Sequence, residues 1–406
     1  MRIAILHYAA PPIIGGVERV IYYHARLLAA LGHEISVIAG RGEPFDPTVA
    51  FYPVDLIDSR HPEIAALKSE LDQGIVSPTF AAVIERIEAN LAPILEKADV
   101  LIAHNVLSLH KNLMLTAALH QRAAAGCGPR LIAWHHDLAW TASRYLPELH
   151  DGYPWDLLRQ AWPNTQHVTV SSARRDEVAA IFGIPAGDIK VIPGGIDAAD
   201  FLGIDGPTAD RLSKLGILEA DPMLLLPSRI TRRKNIELAL RVTAMMQERC
   251  PRVKLIVTGP PGPHNAENTP YFDELKALRS SLGLNNQALF LTEELGEPPD
   301  NAMMKALYRL AGALIFPSFE EGFGLPILEA GLARLPIFCA DIPALRELAR
   351  DGAHYFSPFA DAGVVAQQIE QVLSTSQTAH LRNRVLNDYD WSGIVRRYVE
   401  PLISNA

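Results

Sequence analysis

Two carboxylates flank a glycine turn late in the chain. The segment from Ser318 to Ala330 reads SFEEGFGLPILEA, with Glu321 just before Gly322-Phe323-Gly324 and Glu329 further on. Glycines allow a tight turn and a close approach of backbone to ligand. Pro326 suits the first turn of a helix, and the free N–H groups of such a helix start can hold an anion. Carboxylates accept hydrogen bonds from hydroxyls, so Glu321 and Glu329 suit a polyhydroxylated ligand such as a sugar with a ribose. A plain strand–helix junction would also place acidic residues near a helix start, where the dipole favours them.

Three further groups carry chemistry. Ser228-Arg229-Ile230-Thr231-Arg232-Arg233-Lys234-Asn235 follows an apolar run and opens a helical pattern. Arg229 can grip phosphate oxygens through two N–H groups, and Lys234 adds a point charge, so the pair could neutralise a diphosphate without a metal. Gly15-Gly16 sits between an apolar run and a helical pattern, where backbone could approach a phosphate or sugar; it is not the G-x-G-x-x-G dinucleotide fingerprint. Trp134-His135-His136-Asp137-Leu138 puts two histidines at the end of another apolar run. They could serve a reaction, hold a metal, or be hydrogen-bonded at a strand end, and no third metal ligand is placed by spacing. Asp137 could orient an imidazole or cap the next segment. Trp134, Trp140, Trp155 and Trp162 crowd the same region. Their faces suit sugar stacking or a local aromatic core, and an acceptor pocket shaped partly by Trp134, Asp137 and Trp140 is one expectation.

Elements of one kind must position all of these. Strands are expected at Arg2–Tyr8, Glu34–Ala39, Val100–Asn105, Arg130–His135, His167–Ser171 and Lys190–Ile192. A second series is expected at Met223–Pro227, Lys254–Thr258, Ala288–Leu291, Ala313–Pro317 and Pro336–Ala340. Continuous apolar runs imply strands covered on both faces, and their alternation with helical patterns implies parallel sheets wound by helices. Val17, Val20, Ile21, Leu27, Leu28 and Leu31 mark one helix face, stopped by Gly32. Ile236, Leu238, Leu240, Val242 and Met245 mark another. The two series part at Pro193-Gly194-Gly195-Ile196-Asp197, so a domain boundary is expected near residue 200. In such sheets ligands bind at the carboxyl ends of the strands.

Bulk properties narrow the class. A chain of 406 residues suits two domains, and 49% hydrophobic with 20% charged residues fits globular cores. The net charge of -9, with Arg and Lys scattered, argues against nucleic acid as a partner. Cys127, Cys250 and Cys339 stand far apart without ligand spacing, which predicts no zinc site or disulfide framework and suits a reducing cytoplasm. MRIAILHY reads as a first buried strand, too short for a signal h-region, and no apolar stretch is long enough to span a membrane. Peripheral attachment to the inner face of a membrane stays open, since it needs only an amphipathic surface.

The order of these motifs is specific. Arg229 with Lys234, then Glu321 through Glu329, resemble the signatures of the family 4 retaining glycosyltransferases, whose group 1 members include glycogen-synthase-like and mannosyltransferase-like enzymes. Gly15-Gly16, Val191 to Asp197, Thr258-Gly259-Pro260 and Asp341 to Glu347 fall in the same order, so the resemblance spans nearly the whole chain. Gly194 departs from it, standing where the family usually has Asn. The resemblance implies the GT-B fold, two Rossmann-like α/β domains facing across a cleft. These would be an acceptor-side domain, 1–200, with helix 391–406 packed back on it, and a donor-binding domain, 201–390.

It also implies a transfer of a hexose from a nucleotide-diphosphate sugar to a glycan, glycolipid or polyol hydroxyl. Arg229 and Lys234 would bind the diphosphate, Glu321 the transferred sugar and Glu329 the ribose. Gly259 and the backbone of Phe323, Gly324 and Leu325 would line the donor site, with Gly16 near the phosphate. A histidine at the cleft is also implied; the His-Asp-Leu wording favours His136, and the strand-end position favours His135. Neither metal nor cofactor is expected, and Asp388-Tyr389-Asp390, the D-x-D triplet, is read as structural. Rival readings are a GT-B phosphorylase or disaccharide synthase, a nucleotide-sugar epimerase, and an inactive nucleotide-sugar-binding subunit.

Overall fold

The computed structural model describes residues 1–262 and 267–404. It divides into two compact units, Met1–Gly195 with Trp391–Ala406, and Ile196–Asp390. Each unit is built on one parallel sheet.

The sheet of the first unit contains β1 (Arg2–Ala9), β2 (Glu34–Arg41), β3 (Val49–Pro53), β4 (Val100–His104), β5 (Arg130–His135), β6 (Thr165–Thr169) and β7 (Lys190–Val191). Their spatial order is β3-β2-β1-β4-β5-β6-β7. From Ile3 onward every residue of β1 is buried, which is why the run reads as uninterrupted apolar sequence. One sheet face packs on helices Thr79–Leu95 and Leu113–Ala124, through Val83, Ile87, Leu91, Leu115 and Leu119. The other packs on helix Gly16–Ala30 and on the C-terminal segment, through Ile21, Leu28, Ile394, Val395, Val399 and Ile403. Arg130 pins that segment by donating to the carbonyls of Leu402 and Ile403, at 2.6 and 3.0 Å. Trp391 stacks on Tyr23 with ring centroids 5.1 Å apart.

The second sheet contains β8 (Met223–Leu226), β9 (Lys254–Val257), β10 (Ala288–Phe290), β11 (Ala313–Phe316), β12 (Ile337–Ala340) and β13 (His354–Phe356), in the order β10-β9-β8-β11-β12-β13. This is the doubly wound order, in which crossovers run outward in both directions from a central pair. Helices Ile236–Gln247, Asn268–Ser281 and Ala362–Thr375 cover one face, and Gly206–Lys214, Asn301–Leu310, Leu325–Leu332 and Pro343–Ala349 the other.

The elements depart from the sequence reading in a few places. β3 and β13 were not foreseen; both are sheet edges, half-exposed and without a continuous apolar run. β6 both starts and ends two residues earlier than expected, and its early end follows from Ser171, which leaves the strand to cap the next helix and accepts from the Arg174 N–H at 3.2 Å. Leu291 is not the end of β10 but the start of a short helix. Leu31 lies past the end of its helix and is exposed, while Met245 points to solvent and Met246 into the core.

Among the described residues no helix is long and apolar enough to cross a membrane.

Candidate functional site

In the second unit, β8 and β11 are parallel neighbours, with Leu224 beside Ala313. From β8 the chain crosses over to β9 on one side; from β11 it crosses to β12 on the other. Their carboxyl ends therefore form the switch point where loops diverge and leave a crevice. The two loops that leave it are 227–235 and 317–324.

Backbone and side-chain bonds hold these loops together. The Phe319 N–H donates to the Arg233 carbonyl at 2.8 Å. Asn235, in the left-handed region with φ 52°, donates its amide to the carbonyls of Pro317 (3.1 Å) and Pro358 (2.9 Å). Asn tolerates that conformation better than most residues. The Lys234 ammonium donates to Glu321 Oε1, and the Ser318 hydroxyl donates to the same oxygen at 2.7 Å. Arg233 lies 3.5 Å from Glu321 Oε2. The Lys234 and Glu321 side chains are only 10% and 7% exposed, so the pair is shielded from solvent. Burial pulls the Lys234 ammonium below the usual lysine range, opposed by the Glu321 carboxylate. Lys234 also sits over the Phe316 ring, 5.0 Å from its centroid.

Arg229 differs from its neighbours. It is exposed, and among the described residues its guanidinium has no hydrogen-bond or ion-pair partner. A free fork of N–H donors on the same loop as a buried ammonium suits an anion with several oxygens.

The loop after β9 braces this one. The Gly259 N–H donates to the Ser228 carbonyl at 3.0 Å, and the Ile230 N–H donates to the Pro260 carbonyl at 3.0 Å. A Cβ on Gly259 would lie 2.4 Å from the Ser228 oxygen and 2.8 Å from Arg229 Cα, both backbone atoms. Gly259→Ala must therefore push the loops apart and carry Arg229 with them. We expect a loss of about 1–3 kcal/mol in stability from overpacking, and a fall in turnover approaching ~100-fold from the misplaced guanidinium. Chemical denaturation and steady-state kinetics read the two effects separately. Wild-type values for both would show that the loops are not coupled.

The glycine turn itself has φ 102° at Gly324, where a Cβ would also meet Leu345 Cδ2 at 2.7 Å. Leu345 belongs to helix Pro343–Ala349, so the Asp341–Glu347 motif forms the floor of the turn. Phe323 and Leu325 are exposed beside it. Helix Leu325–Leu332 presents Glu329 on its exposed side, and Tyr308 donates its hydroxyl to Glu329 Oε2. Tyr308 and Ser318 were given no role from sequence; each lies on a different element from, or is only adjacent to, the acid it holds, so no spacing marks it.

In the first unit, Gly15 and Gly16 begin helix Gly16–Ala30 after β1. Gly16 has open space around its Cα, whereas the Glu18 carboxylate lies over Gly15, 2.0 Å from where a Cβ would stand. β5 ends in Trp134 and His135, whose side chains alternate across the sheet. His135 is buried against His167, with Nε2 and Nδ1 3.0 Å apart, and its ring meets Phe182. His136 is only half-buried, and its Nε2 lies 3.0 Å from His104 Nδ1. Burial draws its imidazole down to about 3, with His7 and His24 adding to the effect. The His136 and Asp137 N–H groups both donate to Asn105 Oδ1, at 2.8 and 3.2 Å. Asn105 and His104 are further residues that sequence reasoning missed.

The acceptor reading of the tryptophans needs correction. Trp134 is 1% exposed, wedged against His24 and His104, and has no free face for a ligand. Trp155 and Trp162 are core residues too. Trp140 is half-buried and already carries the Arg159 guanidinium on its ring at 4.4 Å. Asp137 is half-buried beside His136.

Among the described residues one grouping has metal-ligand spacing: Asp72, His110 and Glu148 in the first unit. The Lys68 ammonium already bridges it, 2.6 Å from Asp72 Oδ2 and 2.9 Å from Glu148 Oε2, so the charge requirement is met by the protein itself. The Asp388-Tyr389-Asp390 triplet closes the second unit, where the Tyr389 carbonyl accepts the Ile196 N–H at 2.7 Å.

Comparison with known proteins gives the following. The model of the group 1 glycosyl transferases matches residues 209–385, and that of glycosyltransferase family 4 matches residues 14–200. A mannosylglucosylglycerate synthase of Thermotoga maritima is 26% identical over 367 residues, 83% of this chain and 80% of the relative. A glycogen synthase of Mycobacterium tuberculosis is 26% identical over 415 residues, 97% of this chain and 92% of the relative. Among solved structures, a sucrose-phosphate synthase from Thermosynechococcus elongatus aligns over all of both chains at 15% identity with a TM-score of 0.37.

Proposed function

The chain belongs to the group 1, family 4 glycosyltransferases, and from that premise we propose that it moves a hexose from a nucleotide-diphosphate sugar to an acceptor hydroxyl, with retention at the anomeric carbon and without a metal. One observation carries the donor half of this reading. Buried Lys234 and free Arg229 stand at the switch point of the second sheet, beside a glycine turn that ends in a helix start. Two cations and free backbone N–H groups suit a diphosphate, and the held carboxylates of Glu321 and Glu329 suit sugar and ribose hydroxyls.

The reaction then needs little else. The bond from the anomeric carbon to the diphosphate oxygen breaks, and the acceptor oxygen forms its bond on the same face. The acceptor proton passes to the departing diphosphate. Lys234 and Arg229 stabilise the negative charge that develops on that diphosphate, the task a metal performs elsewhere. His136, rather than His135, is the histidine we assign to the site, because it is only partly buried while His135 is fully buried against His167. The acceptor is a glycan, glycolipid or polyol. The free thiols of Cys127, Cys250 and Cys339 suit the cytoplasm.

The test is a thermal-shift series with UDP, GDP and ADP, followed by transfer assays in excess EDTA. A diphosphate at 100 times its Kd adds about 2.7 kcal/mol to the stability of the state that binds it, and a clear rise in Tm is expected for one of the three. Turnover should persist in EDTA, and NMR of the product should show the donor's anomeric configuration. No shift with any diphosphate, an inverted product, or a loss of activity reversed by added metal would each count against the proposal.

A further inference from the structure

Six histidines gather in the first unit, and His136 alone of them is only partly buried. His7, His24, His104, His135 and His167 are all buried. Their arrangement is directional. His104 ends β4 and pairs in register with Trp134 of β5, which brings its ring beside the residue that follows His135. The backbone carbonyl of His104 accepts from His7 Nδ1 at 2.9 Å. A carbonyl can only accept, so His7 carries its proton on Nδ1. The His104 ring is fully enclosed, packed on Trp134 and His24 with centroids 5.6 and 5.9 Å away.

Resting on the assignment of His136 to the site, we propose that His104 is a positioning residue: its Nδ1–H donates to His136 Nε2 and so fixes His136 as the tautomer that presents Nδ1–H outward. The 3.0 Å separation of the two nitrogens requires one proton between them. Two neutral rings supply that, and both rings resist protonation because burial disfavours their charged forms.

The direction of donation follows from the other end of His104. Its Nε2 is buried and has no hydrogen-bond partner among the described residues. An unpaired N–H there is costlier than an unpaired lone pair, since orphaned buried donors are the rarer case. The Trp134 ring packed on it points the same way: its indole N–H is donor-only and itself unpartnered. A bare Nε2 complements it, which leaves the proton on Nδ1. The consequence for the site is chemical. His136 offers a hydrogen-bond donor to a hydroxyl or phosphoryl oxygen and has no outward lone pair with which to take a proton. That agrees with a transfer in which the leaving diphosphate takes it. Asn105 completes the device by holding the His136 backbone N–H, so ring and main chain are both fixed.

The experiment is long-range proton–nitrogen NMR on protein labelled with 15N-histidine at neutral pH, with the His136 signals assigned by their loss in His136→Gln. The wild-type protein needs no further substitution to decide the tautomer: Nδ1 should be of the protonated type and Nε2 of the bare type. His104→Asn keeps an N–H donor near the place of Nδ1 and should preserve that pattern and most of kcat. His104→Phe removes the donor, should turn His136 to the Nε2–H form, and should lower kcat about tenfold. A wild-type His136 protonated on Nε2, or a tautomer that His104→Phe does not move, overturns the proposal. A tautomer that moves while kcat stays unchanged supports the positioning by His104 and overturns instead the placing of His136 in the reaction.

Discussion

Lys234→Met should lower kcat by about 10²–10³-fold, the cost of losing one preorganised group that stabilises developing negative charge. It should also destabilise the second unit. The Glu321 carboxylate is 7% exposed and shares Oε1 between Lys234 and Ser318, so removing the ammonium leaves a buried charge with only Arg233, at 3.5 Å, to oppose it. Breaking a buried pair from one side costs about 3–5 kcal/mol, and Arg233 moves the expectation to the lower end. Two companion variants separate the effects. Lys234→Met with Glu321→Gln removes both charges and should recover most of the stability while activity stays lost. Arg229→Met should keep wild-type stability, because Arg229 is exposed and unpaired among the described residues, and still lose activity. The double-mutant cycle on Lys234 and Glu321 should show a coupling energy above ~1 kcal/mol in denaturant titrations. If Lys234→Met keeps more than about a tenth of kcat, the diphosphate role of Lys234 is wrong.

The parts of this site that sequence could disclose are those carried by one short segment. Glu321, Gly324 and Pro326 lie on a single strand–turn–helix, and the need for a φ of 102° at the turn is written in the glycine. Lys234 and Glu321 meet because β8 and β11 are adjacent at the switch point, and adjacency of strands is not a local property. Tyr308 is a clearer case: it reaches Glu329 from a neighbouring helix, where its register reads as ordinary core spacing. Trp134 misled for the opposite reason. Its neighbours His135 and His136 suggested a pocket, but both faces of this sheet are covered, and Trp134 packs into the one that carries helix Gly16–Ala30 and the C-terminal segment. The fold was legible where strands are buried on both sides, as in Ile3 to Tyr8 and Leu224 to Leu226. It was illegible at β3 and β13, whose exposed faces break the apolar run.

Acidification should unfold the first unit before the second. His7 and His167 are drawn down to about 4, and His24 and His136 to about 3, in each case mainly by burial. An unfolded histidine titrates near 6.5. For a group whose folded value is depressed in this way, the unfolded state binds the proton first. Stability is then complete above pH 6.5 and falls as pH drops toward the folded value. At pH 5 each of the four contributes a loss of about 2 kcal/mol, on the order of 8 kcal/mol together. That is comparable to the whole stability of a typical domain, about 5–15 kcal/mol. Carboxylates do not explain a loss in this range. Glu148, held down to about 2 by His110 and Lys68, adds its own acid sensitivity only below the usual glutamate range. The second unit lacks a buried histidine among its described residues, since His354 and His380 are exposed. Calorimetry from pH 7 to 5 should therefore show one transition moving steeply down and another moving little. His24→Phe is the sharpest check, because both ring nitrogens of His24 lack partners and a phenyl ring can fill the same place between Trp134 and Trp391. The variant should take up about one proton fewer on unfolding and regain about 2 kcal/mol at pH 5 relative to pH 7. A first transition that does not move between pH 7 and 5 would mean that these imidazoles reach their protons without unfolding, and that the enclosed histidine cluster opens to solvent in the native protein.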